Sequence, residues 1–178
     1  MRIILVTHAE TVNAPPRPLS KKGIREAKSA AGRIRSLMGD NFRVTKAVSS
    51  PAVRCIETAL VIIKELSGEK LRRLDTDPRL MAAKEPMEPD QLTRAIKDYA
   101  CDGILIVLHA DLANALPKRE RIGGVVDGWF QVRPVLAIID WEEDRPWDEN
   151  RVLTLLGPDG RPLAEPDIDD NDKPLLLT

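Results

Sequence analysis

The stretch Met1-Arg-Ile-Ile-Leu-Val-Thr-His-Ala-Glu-Thr-Val-Asn13 decides how the rest of the chain is read. Its aliphatic run, residues 3–6, stops abruptly at Thr7-His8-Ala9-Glu10. A short apolar run bounded by polar residues predicts a fully buried strand. His8 then stands where that strand leaves the sheet, and in open α/β sheets ligands bind beyond the carboxyl ends of the strands. A second run, Gly103-Ile-Leu-Ile-Val-Leu108, ends in the same way at His109. If the two strands are parallel neighbours, the chain's two histidines face each other across one crevice.

Between and beyond these strands the pattern alternates. Ala14-Pro-Pro-Arg-Pro-Leu19 reads as a loop held extended by its prolines. Ser20 is a good N-cap for a helix with Ile24, Ala27, Ala31, Ile34 and Met38 as its apolar stripe, ended by Gly39. Residues 44–49 predict a second strand. Ser50-Pro51 then predicts a second helix, with Ser50 as N-cap and Pro51 at the first helical position. Its stripe is Val53, Ile56, Leu60 and Ile63, and Ser67-Gly68 closes it. A weaker strand over 71–74, a loop over 77–90, and a helix over 92–99 capped by Asp90 follow. After His109 come a short helix around 112–116, a turn at Gly123-Gly124, and two strands over 132–141 and 151–156. Strands alternating with helices predict an α/β fold with a mostly parallel central sheet flanked by helices. One domain over residues 1–156 is expected, with 157–178 an irregular tail rich in Pro, Gly and Asp.

Composition narrows the partners. A formal net charge of -1 advertises neither nucleic acid nor a membrane surface. Aromatics make up 3% of the chain, too few for a base-stacking platform. No apolar run approaches the roughly 20 residues that span a bilayer, and no signal-peptide pattern opens the chain. Two cysteines, Cys55 and Cys101, make no disulfide framework, so a cytoplasmic home is expected. Cys55, inside the second helix, reads as a packed thiol, and neither cysteine has the arginine six residues on that a cysteine phosphatase loop needs. A metal held by His8, Glu10, His109 and Asp111 fits no recognised zinc spacing, so no metal or other cofactor is expected. Oligomeric state is not legible.

The chemistry lies where the pieces meet. Arg54 falls in the first turn of the helix that begins near Ser50. Backbone N–H groups there favour an anion, and a guanidinium adds a full charge and a planar donor fork. Arg17, in the proline-stiffened loop, is a second candidate for the same place. Two histidines, two arginines and a helix N-terminus around one crevice describe a phosphate pocket. Taken singly, each histidine would more often be structural, and Glu10 and Asn13 fit capping or turn roles as well as binding ones.

The order of these pieces resembles the histidine phosphatase (phosphoglycerate mutase-like) superfamily, above all its short bacterial phosphohistidine phosphatases. Thr7-His8-Ala9 stands at that family's Arg-His-Gly. Arg17-Pro-Leu-Ser-Lys-Lys-Gly23 matches its Arg-Pro-Leu-Thr/Ser-x-x-Gly, and Ser49-Ser-Pro-Ala-Val-Arg-Cys-Ile-Glu-Thr-Ala59 its Ser-Ser-Pro-x-x-Arg-x-x-x-Thr-Ala. The resemblance implies a three-layer phosphoglycerate mutase-like fold and a metal-independent phosphoryl hydrolase. It casts His8 as nucleophile, Arg54 and Arg17 as holders of the phosphoryl oxygens, and His109 as a stabiliser of the transferring group. Thr7 and Asn13 fall at substrate-binding positions. A phosphorylated small molecule or a phosphoprotein is the implied partner.

The departures are as specific as the matches. Thr7 carries a hydroxyl where the family has a charged guanidinium, and a lost transition-state donor commonly costs about 10²–10³ in rate. Ala9 replaces a glycine, which would crowd the backbone if that position needs positive φ. Larger relatives carry a glutamate general acid after Arg-Leu-x; here Arg79-Leu80-Met81 is followed by Ala82, leaving Glu85 and Glu88 as substitutes. A good leaving group such as imidazole needs less protonation than an alkoxide. Two readings therefore stand: a phosphomonoesterase or phosphohistidine phosphatase working through a phosphohistidine intermediate, or a catalytically impaired relative that binds a phosphorylated ligand.

Overall fold

The computed structural model describes residues 1–67, 73–81, 89–109, 134–144, 151–157, 160 and 161. Six strands form one sheet: β1 (Arg2–Thr7), β2 (Lys46–Ser49), β3 (Asp75–Thr76), β4 (Ile104–Leu108), β5 (Leu136–Asp140) and β6 (Arg151–Leu156), in the order β3-β2-β4-β1-β5-β6. β1 and β4 are parallel neighbours in register, Leu5 beside Ile106 and Thr7 beside Leu108. β2 is parallel to both β4 and β3. β5 is antiparallel to β1 and to β6, so it alone runs against the other five. The sheet is mostly parallel, as the alternating pattern predicts.

Strand alternation sorts the core into two layers. Ile3, Leu5, Ile104, Ile106, Ala137 and Ile139 pack on one face with Ala95 and Ile96 of α3 (Pro89–Tyr99). Ile4, Val6, Leu105, Val107 and Ile138 pack on the other, under α1 (Lys21–Met38) and α2 (Val53–Ser67). Side chains of successive strand residues point to opposite faces, so runs apolar at every position demand cover on both sides. No helix among the described residues is long and apolar enough to cross a membrane.

The helix signals hold at their ends more than along their faces. Ser20 caps α1, its hydroxyl accepting the Gly23 N–H, and Gly39, at φ 89°, closes it with its N–H on the Arg35 carbonyl. The buried face of α1 is Gly23, Ala27, Ala30, Ala31 and Ile34, while Ile24 is exposed. Gly23 has to face inward, because an added Cβ would stand 2.0 Å from the Glu10 carbonyl oxygen. The next residue is turned by about 100° and points to solvent.

α2 departs further from expectation. It begins at Val53, not at Pro51; Ala52 provides the first helical carbonyl, accepting the Ile56 N–H at 3.1 Å. Ser50 precedes the cap, with its hydroxyl 3.4 Å from the Ala52 N–H. The inward stripe is Cys55, Thr58, Ala59, Ile62, Ile63 and Leu66; of the expected residues Ile63 is buried and Leu60 exposed. Thr58 can be buried because its hydroxyl donates to the Arg54 carbonyl one turn back. Cys55 is a packed thiol, donating to the Leu108 carbonyl at 3.4 Å.

Three further boundaries move. The third strand lies at Asp75–Thr76, beyond the described part, 73–74, of the expected span, because it pairs with Val48 and Ser49 and the Asp77 N–H continues the ladder to the Ser49 carbonyl. Pro78–Leu80 forms a 3-10 turn capped by Asp77 inside the expected loop. α3 starts at Pro89, which puts Asp90 within the helix instead of at its cap. The fifth strand is shorter than 132–141. After β6 the chain turns at Gly157, whose carbonyl accepts from Arg33 of α1 at 2.8 Å. The expected helix near 112–116, the turn at Gly123-Gly124 and residues 162–178 lie outside the described residues.

Candidate active site

Because β1 and β4 are in register and end together, His8 and His109 occupy the same rung beyond the sheet. Their ring centroids are 5.2 Å apart, with planes tilted by 31°. Each is anchored through its backbone: the His8 N–H donates to the Leu108 carbonyl, and the His109 N–H to the Leu80 carbonyl, both at 3.2 Å. His8 is buried, at 1% exposed, and His109 half-buried.

Hydrogen bonds fix both tautomers. His8 Nδ1 lies 2.8 Å from the Ala9 carbonyl, which can only accept, so Nδ1 carries a proton and, in the neutral ring, the lone pair is the one on Nε2. His109 Nε2 meets Arg54 Nη2. A guanidinium can only donate, so this ring too keeps its lone pair on Nε2. Arg54 Nε is buried and has no hydrogen-bond partner among the described residues.

The segment that carries Arg54 also binds the loops around it. Thr58 Oγ1 accepts the Ala9 N–H at 3.1 Å, and Glu57 Oε2 accepts the Leu19 N–H at 2.6 Å. Ser50 donates its N–H to the Val107 carbonyl at 2.9 Å. One helix start thus holds the chain leaving β1, the loop entering α1 and the ring of His109.

Other candidates sit differently. Thr7, 4% exposed, uses its hydroxyl oxygen to accept the Val135 N–H at 2.8 Å, while its own N–H donates to the Val135 carbonyl. This exchange joins the end of β1 to the entry of β5. Ala9 is fully buried and is absent from the positive-φ residues, of which Arg17, at 59°, is the one non-glycine among the described residues. The glycine-to-alanine change therefore strains nothing. Arg17 and Asn13 are exposed, and no hydrogen bond or ion pair among the described residues ties either side chain to the histidines. Glu10 takes the capping role: its carboxylate accepts from Lys22 at 2.7 Å and from the Ser20 hydroxyl at 2.8 Å, and these two bonds hold its pKa below the usual value. Among the described residues no three His, Cys, Asp or Glu side chains gather as a metal site. Glu85, Glu88 and Asp111 lie outside the described residues.

Sequence reasoning missed the anchors Glu57 and Thr58. The signal was present, since both lie within the Arg54-to-Ala59 segment, but their partners are the backbone amides of distant loops.

Comparison with known proteins bears on the family and the fold. Residues 3–83 match the family model of the histidine phosphatase superfamily (branch 1), a span that includes His8 and Arg54 and stops short of His109. Over 61 residues, 34% of this chain, the sequence is 39% identical to ubiquitin-associated and SH3 domain-containing protein A of Mus musculus, and the match spans 9% of that protein's length. The structure of the protein histidine phosphatase SixA complexed with tungstate superposes with a TM-score of 0.62 at 14% identity, covering 89% of this chain and 97% of that one. Phosphoglycerate mutase from Plasmodium falciparum gives 0.51 at 20% identity, covering 85% and 86%. The fold is phosphoglycerate mutase-like, and the chain resembles the histidine phosphatase superfamily, with a phosphohistidine phosphatase among its structural neighbours.

Proposed function

We propose that this protein is a phosphoryl hydrolase that works through His8, with phosphohistidine or a phosphomonoester as substrate. The observation that carries the reading is the convergence of His8, His109 and Arg54 at one sheet edge. A nucleophilic imidazole needs a neutral ring with its lone pair toward the substrate and the other nitrogen held by an acceptor. The Ala9 carbonyl supplies that acceptor. His8 Nε2 attacks phosphorus, and the leaving group departs with the electrons of its bond and takes up a proton from solvent; water then attacks phosphorus, gives up a proton to solvent, and the P–N bond's electrons return to Nε2. Arg54 neutralises charge on the phosphoryl oxygens, and its buried Nε is a donor that an oxyanion would satisfy. His109, gripped by the same guanidinium, assists at the transferring group. Residues 1–156 act as one domain in this reading, and the partner is a phosphorylated small molecule or phosphoprotein.

A second reading, binding of a phosphorylated ligand without turnover, is favoured by Thr7. No charge stands at that position, and the hydroxyl is engaged by Val135. One experiment separates the two. The purified protein and its His8→Ala and Arg54→Ala variants are assayed on phosphohistidine peptide and p-nitrophenyl phosphate, and their melting is followed with and without phosphate. Turnover lost in His8→Ala supports the hydrolase. A phosphate-induced stabilisation lost in Arg54→Ala, without turnover in the parent, supports the binder. Turnover that survives His8→Ala removes His8 as nucleophile.

A further inference from the structure

We infer that Arg79 is a positioning residue for His109, acting through the turn Pro78–Leu80. His109 is the first residue beyond β4, where the ladder no longer holds it. Among the described residues, Arg54 bonds the ring and the Leu80 carbonyl takes the backbone N–H. Where Leu80 sits therefore sets where the imidazole sits.

Leu80 belongs to a turn held by charge as well as by packing. The Asp77 carboxylate caps it, accepting the Arg79 N–H at 2.8 Å, and Arg79 Nε and Nη2 close back on the same carboxylate at 3.0 and 2.7 Å. The third arm of the guanidinium, Nη1, donates to Asp98 of α3 at 2.6 Å. The Asp77 N–H donates to the Ser49 carbonyl at the end of β2. Arg79 thus fastens the turn between β2 and α3, and the far end of that turn holds His109. Tyr99 also hydrogen-bonds to Asp77, and the Lys46 ammonium lies 4.9 Å from the centre of the Tyr99 ring.

The pairing stabilises the turn, but stability by itself does not call for a fork onto two carboxylates. A paired buried carboxylate is often no more stabilising than an apolar residue of similar volume. A planar fork that engages two carboxylates does fix direction, and a lysine could not reproduce it. Arg79 reaches no reacting group; its contribution is where it sets the Leu80 carbonyl.

The kinetic part of this inference rests on the proposed role of His109, and its structural part does not. The test compares the full-length wild type with Arg79→Gln, Arg79→Lys and Asp98→Ala by ¹⁵N NMR of the His109 amide and of both imidazoles. In Arg79→Gln the His109 amide and ring signals move while the His8 ring signals hold. On phosphohistidine peptide, kcat falls about tenfold with KM within about twofold, as expected for a misplaced group rather than lost binding. Arg79→Lys recovers part of both. If Arg79→Gln lowers the melting temperature but leaves His109 signals and kcat unmoved, Arg79 only supports the fold and the inference is overturned. Should Arg79→Gln fail to fold, Asp98→Ala cuts just the outer arm of the clamp, and unmoved His109 signals there overturn the inference equally. A wild type without turnover counts against the proposed function and leaves the NMR comparison to decide alone.

Discussion

At Thr7 a single oxygen joins two parts of the chain that are 128 residues apart. Thr7→Val keeps the side chain's shape and removes that oxygen, which leaves the amide of Val135, a residue 1% exposed, unsatisfied. An orphaned buried donor costs about 1–3 kcal/mol, and denaturant titration of the variant should show a loss of that size. The phosphate-induced melting shift should persist, since the hydroxyl faces Val135; a lost shift would mean that Thr7 touches the anion. Thr7→Arg would orphan the same amide, so a charge restored there arrives with a loosened β1–β5 edge. Residue by residue, what could be read from the sequence was chemistry that declares itself locally. His8 and His109 follow apolar runs, and Arg54 follows Ser-Ser-Pro. The Thr7 partner could not be read, because nothing near either residue announces a bond across so much chain. The exposure of Arg17 was equally hidden, since a motif gives order along the chain and not the direction of a side chain.

Helix faces tell the same story one level up. α1 carries two glycines with opposite demands. Gly23 lies against the Glu10 carbonyl, while a Cβ at Gly32 would meet nothing within 4 Å. Gly32→Ala should stabilise by about 0.5–1 kcal/mol through helix propensity. Gly23→Ala should cost about 3 kcal/mol or more, because backbone rather than a flexible side chain must give way. Paired thermal melts check both, and equal effects would remove the close-contact explanation. Both helix starts were legible to within three residues, because capping depends on a few local groups. The buried stripes were less so. Ile24 and Leu60 look like core residues by hydrophobicity but are exposed, and Gly23, Cys55 and Thr58 lie inward, Gly23 because a Cβ there would stand 2.0 Å from the Glu10 carbonyl oxygen. Close approach selects a small residue at Gly23, and a search for large apolar residues passes over such places while still finding Ala27, Ala31, Ile34 and Ile63.

For the molecule as a whole, acid is the informative perturbation. Burial alone would raise the Asp77 pKa, but the Arg79 side-chain and backbone hydrogen bonds and its charge outweigh that and leave it lowered. A carboxylate with a lowered folded pKa contributes stability above its unfolded pKa of about 3.9 and loses it as pH falls through the folded value. Stability measured from pH 7 downward should therefore exceed that of Asp77→Asn by a constant margin until about pH 4, and the margin should close below it. A margin independent of pH would show that the ion pair is not what Asp77 contributes. The parallel pairing of β1 with β4 was inferable from two strands that end alike. The reversed direction of β5 was not, since a buried antiparallel strand flanked on both faces has the same apolar run as a parallel one.

The short start of α2 behaves like a machinist's jig. Arg54, Cys55, Glu57 and Thr58 face four different targets, and each meets its target because successive residues are turned by about 100° around one axis. A single inserted or deleted residue between Arg54 and Thr58 would swing the later fixtures a quarter-turn out of true and misalign several at once. Point changes in that turn can be graded one tool at a time; a change in its length cannot.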